Sequence, residues 1–145
     1  MSDPIIITQE FNAPIDKVWK ALTDRTEMKT WYFDIPDFVL SEGAVFNFYE
    51  PGETKQFLHL CKIIKIIPGE LFQHTWTYPD LSKGVSTVTW KLMSLDDRTE
   101  LILTHEGLEN FSDGGAAFAR DNYVAGWNEI VCILLHKHLE ENSNE

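Results

Sequence analysis

Near Asp113 the hydrophobic pattern of the chain changes its period. Upstream, five short runs alternate apolar and polar residues: "AVFNFYE", "FLHLCKIIKII", "LFQHTWTY", "VSTVTWKL" and "TELILTHEGL". Most of them stop at turn residues, Pro51-Gly52, Pro68-Gly69, Pro79-Asp80 and Asp96-Asp97 among them. Alternation with short connections is the pattern of an antiparallel meander. Downstream of "NFSDGGAAF", Tyr123, Trp127, Ile130, Leu134 and His138 recur every three or four residues, which marks one face of a long helix. Ser112 or Asp113 is placed to cap it. A sheet with one face to bury and a helix with one long apolar stripe cover each other, so the helix is expected across the concave face of a twisted sheet.

The N-terminal third adds a strand and two helices. "PIIITQEFN" is short, β-branched and bounded by Pro4 and Asn12, which predicts a strand. In "NAPIDKVWKALTD", Pro14 is suited to the first helical position, and Ile15, Val18, Trp19 and Leu22 share a face. "RTEMKTWYF" reads as a second short helix, followed by a loop from Asp34 to Glu42. The order is β-α-α-β-β-β-β-β-α, an α+β chain in one domain, 1–145, with a frayed tail at about 140–145. Gly126 stands in the middle of the last helix, where glycine costs about 1 kcal/mol relative to alanine. It predicts either a tight crossing that gives the Trp127 ring room beneath the sheet, or a plain small residue in a crowded core.

Composition excludes several function classes. The formal charge of -11 opposes nucleic acid and anionic lipid surfaces. No apolar run has the length of a membrane span, and "MSDPIIITQEF" carries no secretory signal, so a cytoplasmic protein is expected. Cys61 and Cys132 lie far apart in no metal-type spacing and read as reduced, buried thiols. His59, His74 and His105 stand on three strands without ligand spacing or a carboxylate partner, so no metal is implied. His136 and His138 are read as complements to the C-terminal helix dipole. The sequence has no Gly-x-Ser-x-Gly, phosphate loop or dinucleotide fingerprint.

Several stretches together resemble the SRPBCC, or START-like, superfamily, and within it the group named after the activator of the heat-shock-protein-90 ATPase. They are "FNAPIDKVWKALTD", Trp31, "SEGAVFNF", "IIKIIPGELFQHTW", "RTELILTHEGL" and "GWNEIVCILLHKHL". The resemblance implies a helix-grip fold: a curved antiparallel sheet around a long C-terminal helix, with two short helices after the first strand. It also implies a hydrophobic cavity between sheet and helix, no cofactor, and a likeness to single-domain bacterial members.

Alternation places Phe46 with Phe48, Leu101 with Leu103 and His105, and Val88 with Trp90 and Leu92 on shared faces; Phe72, His74 and Trp76 share one of open orientation. The expected ligand-binding lining is Trp31, Phe46, Phe48, Trp76, Trp90, Leu103, His105, Tyr123 and Trp127. Rings with sparse polar groups suit a small apolar or amphipathic molecule. His105 is the polar group to watch, as a hydrogen-bond donor or an acid–base residue. The expected partner is therefore a small ligand, the chain being a monomer or homodimer. The alternatives implied by the resemblance are a chaperone adaptor and, third, a polyketide-cyclase-like enzyme, for which His105 is the candidate while Arg25, Arg98 and Arg120 look peripheral.

Overall fold

A computed structural model describes residues 4–31, 35, 38–50, 57–78, 83–107, 110 and 120–142. The side chains of 48–50, 57–58, 120–122 and 141–142 lie outside that description. The elements are β1 (Ile5–Phe11), α1 (Ile15–Thr23), α2 (Arg25–Trp31), β2 (Val45–Glu50), β3 (Phe57–Ile67), β4 (Leu71–Trp76), β5 (Ser86–Leu95) and β6 (Arg98–Glu106). The C-terminal helix follows as α3 (Arg120–Asn128), a π-helical segment (Glu129–Leu135) and α4 (His136–Asn142). The expected caps Ser112 and Asp113 fall outside the described residues.

The strands form one antiparallel sheet in the order β1-β6-β5-β4-β3-β2. Local chemistry explains the turns. Pro68-Gly69 closes β3 onto β4 with Glu70 N–H donating to the Ile67 carbonyl at 2.9 Å, and Gly69 takes φ +74°, as the third position of such a turn requires. Asp96, at φ 62°, makes the two-residue β5–β6 hairpin between Leu95 and Arg98. The β3–β4 register shifts between Ile63 and Lys65, where β3 carries one residue more than β4, the pattern of a β-bulge.

Register sets the buried face. Ile5, His105, Val88, His74 and Ile63 form one row across the strands; Ile7, Leu103, Trp90 and Phe72 form the next. All nine side chains are buried. This settles the orientation the sequence left open: Phe72, His74 and Trp76 face the core.

The helices close that face. Pro14 is the N-cap of α1, one position before its expected place, because its extended ψ of 157° ends the strand rather than starting the helix. Asp24 caps α2, accepting from the backbone N–H of Thr26 at 2.8 Å and Glu27 at 3.3 Å. Along the C-terminal helix the buried residues are Tyr123, Trp127, Val131, Leu135 and Leu139. The expected stripe through Ile130 and Leu134 is overturned: Leu134 is exposed and Ile130 half-buried. The cause is the π segment. In a regular α-helix a four-residue repeat drifts by about 40° per step, about 160° over the four steps from Tyr123 to Leu139. The wider i→i+5 turn takes up drift, so the four-residue repeat stays on the sheet.

Among the described residues the tight crossing expected at Gly126 is also absent: a Cβ built there meets none of them within 4 Å. The close backbone approach lies instead at Gly84, where an added Cβ would run into the Asn110 backbone. Cys61 is buried as expected, whereas Cys132 is only half-buried; both are free thiols. His138 does not end the helix in solvent. It meets Glu27 Oε1 of α2 at 3.1 Å, while His136 pairs with Glu140 at 3.3 Å. Among the described residues no helix is long and apolar enough to cross a membrane.

Candidate functional site

Alternation on β4, β5 and β6 aims Trp76, Trp90 and His105 at the same volume into which α2 sends Trp31 and α3 sends Tyr123 and Trp127. The rings touch in series. Trp31 meets Trp90 with centroids 6.5 Å apart, Trp90 meets Trp127 at 5.6 Å, and Trp127 meets Trp76 at 5.3 Å. His105 contacts Trp76, Tyr123 and Trp127 at 5.7, 5.4 and 5.8 Å. Phe46 joins through His74 at 5.4 Å, and Leu103 backs Trp90 across the β5–β6 pair. Eight of the nine expected lining residues thus share one buried region, and the side chain of Phe48 lies outside the described residues.

Within this apolar volume the polar atoms are ordered. The Trp127 indole N–H donates to His105 Nδ1 at 2.9 Å. The proton of a neutral His105 is therefore on Nε2, which donates to Ser86 Oγ at 2.7 Å, and Ser86 in turn donates to the Trp76 carbonyl at 3.1 Å. His74 is held the opposite way: its Nε2 accepts the Trp90 indole N–H at 3.1 Å, so its Nδ1 carries the proton toward the Thr75 carbonyl at 2.9 Å. A third chain runs from the Trp76 indole N–H to Tyr78 Oη and on to Tyr123 Oη, each step 2.8 Å.

These bonds decide the chemistry. Burial lowers the His74 pKa from 6.5 to about 4, against a backbone bond that raises it. Burial and then the neighbouring His74 lower that of His105 to about 3. Both imidazoles are neutral near pH 7. Ser86 and His105 have the separation of a nucleophile and its base, but the tautomer is reversed. Trp127 occupies the lone pair on Nδ1, so Nε2 donates to Ser86 rather than accepting its proton. His105 in this state is a donor to a fixed partner, not a free base.

The described residues enclose a void of about 10 Å³ lined by Leu22, Met28, Trp31, Phe46, Phe72, His74 and Trp90. That is room for about one water, and with both His74 nitrogens already bonded its walls favour a dry cavity. This void lies between α1–α2 and the sheet, and Trp127 of the C-terminal helix is buried against the Trp90 ring that lines it. Of the expected lining, Trp31, Phe46 and Trp90 reach it. Sequence reasoning missed Leu22, Met28, Tyr78 and Ser86. The helical face carrying Leu22 and the Met28–Trp31 spacing were available signals, but those of Tyr78 and Ser86 depend on strand register. Among the described residues no cluster of His, Cys, Asp or Glu is arranged to hold a metal.

A six-stranded antiparallel sheet wrapped around a C-terminal helix, with α1 and α2 between its first two strands, is the α+β helix-grip fold. Residues 12–140 match the family described as Activator of Hsp90 ATPase homolog 1-like protein, and the chain belongs to that family. No curated protein matches the chain. Three solved structures illustrate its likeness. DynU16, a protein in the dynemicin biosynthetic locus, superimposes with a TM-score of 0.77 at 20% identity over 97% of this chain, which spans only 48% of DynU16. CalU16 from Micromonospora echinospora gives 0.71 at 25% identity, covering 92% of this chain and 72% of that one. PFC0360w, an HSP90 activator from Plasmodium falciparum, gives 0.70 at 22%, covering 94% and 93%.

Proposed function

We infer that the chain binds a small, uncharged apolar or amphipathic molecule in its ring-walled interior, against Trp31, Phe46 and Trp90, with Leu103, His105, Trp76, Tyr123 and Trp127 behind them. The observation that carries this reading is the void beneath α2, walled by rings and by a neutral histidine. No charged side chain lines it, so a charged guest would be desolvated without a partner. A guest larger than a water needs the wall to yield. Met28, with three rotatable bonds, and the seven-residue helix α2 that carries it are the parts suited to move. The test is a thermal-shift and native mass-spectrometry screen of neutral aromatic and aliphatic compounds, with tryptophan emission as the local reporter. A binder should raise the melting temperature and change the emission; if no compound does either and none co-purifies, the reading fails.

A chaperone adaptor is the second reading, favoured by the family match over residues 12–140. Its test is retention on an immobilised heat-shock-protein-90 homologue with stimulation of that protein's ATPase. A cyclase-like enzyme is disfavoured by the reversed tautomer of His105.

A further inference from the structure

The π segment that keeps Trp127, Val131 and Leu135 on the sheet has a consequence on the opposite side of the helix. There Glu129, Ile133 and Lys137 form an outward row at four-residue spacing, all exposed. Ile133 is 60% exposed and Leu134 beside it 38%, with half-buried Ile130 completing an apolar strip. Among the described residues neither Glu129 nor Lys137 has an ion-pair partner within the chain. The row is also self-complementary. Glu129 and Lys137 lie four residues either side of Ile133, so reversing the helix about Ile133 exchanges the acid for the base.

We propose that this face binds a second copy of the chain, the two C-terminal helices antiparallel about a two-fold axis beside Ile133. An isologous contact makes each residue meet its counterpart's complement, so Ile133 packs on its own equivalent and two Glu129–Lys137 pairs flank it. The apolar strip supplies the association, and the flanking charges fix direction and register. A single helix pair buries little area for a dimer, so the complex is weak, with a Kd on the order of 100 µM.

Sedimentation equilibrium from about 10 µM to about 1 mM tests it. The wild-type chain should pass from monomer to dimer. Ile133→Glu, at an exposed position that leaves the core intact, should weaken association by about tenfold or more. Glu129→Lys and Lys137→Glu should each weaken it by setting like charges together, and the double exchange Glu129→Lys/Lys137→Glu should restore it. A chain that stays monomeric at the highest concentration overturns the proposal, as does a dimer indifferent to Ile133→Glu. A double exchange no better than the single ones removes the antiparallel register and overturns it as well.

Discussion

At Trp127 the ring and the N–H serve different ends. The ring fills the volume between Trp76 and Trp90, and the N–H fixes the tautomer of His105. Trp127→Ala removes both and should cost roughly 3–5 kcal/mol. Trp127→Phe keeps much of the packing but leaves His105 Nδ1 buried without a donor, for which about 1–3 kcal/mol is expected. Urea unfolding separates the two; an alanine variant within 1 kcal/mol of wild type would mean the ring is not in the core. The histidines also set an acid limit. Their pKa values are about 4 and about 3 in the folded chain, against about 6.5 when unfolded. Between these values the unfolded chain holds protons that the folded chain does not. Their effect is absent above pH 6.5, and stability is lost as the pH falls toward 3. At pH 4.5 the loss relative to pH 7 is on the order of 2–3 kcal/mol per histidine. His105→Asn, which keeps an acceptor for Trp127, should lose about one histidine's worth less over that range; an unchanged pH slope would remove His105 from the account. Strand alternation alone made His105 legible. His74 shares the same buried row, yet its strand could be turned either way until pairing with β5 fixed it.

Element by element, the chain reveals its strands better than its last helix. Strand β3 starts and stops where its apolar run does, because Pro68-Gly69 ends it sharply. The C-terminal helix misleads because "EIVCILL" offers apolar residues on every side. An α-periodic stripe through Ile130 and Leu134 and a four-residue stripe through Val131 and Leu135 are both present, and only packing on the sheet selects the second. Gly126 misleads for a related reason: helix propensity shows that glycine is costly there but not whether anything lies nearby. With no described residue within 4 Å of its added Cβ, Gly126→Ala should stabilise by about 0.5–1 kcal/mol, raising the melting temperature by roughly 2–4 °C. A fall in melting temperature would restore the close contact that is absent among the described residues.

Over the whole molecule, the meander from β2 to β6 is written in short connections, but the neighbour of β1 is not. Nothing in "IIITQEF" states that it pairs with β6 rather than β2. That choice is made by α1 and α2, which carry the chain over the buried face; Thr99 Oγ1 donating to the Ala13 carbonyl at 2.8 Å ties the two ends of that path. The void beneath α2 was unreadable for the same reason, since it belongs to neither helix nor strand alone. Charge acts at this scale too. With 23 acidic residues against 12 basic, the compact state repels itself. Added salt works in two directions, screening that repulsion and weakening ion pairs. The pairs Arg98–Glu10 at 3.2 Å and Lys20–Glu27 at 3.7 Å are largely exposed, and such pairs contribute about 0–1 kcal/mol each. The repulsion is summed over the whole surface, so screening it should win. Raising sodium chloride from about 20 mM to about 500 mM shortens the Debye length from roughly 20 Å to roughly 4 Å, and the melting temperature should rise by a few degrees. A fall across that range would mean that local ion pairs outweigh the net charge of -11.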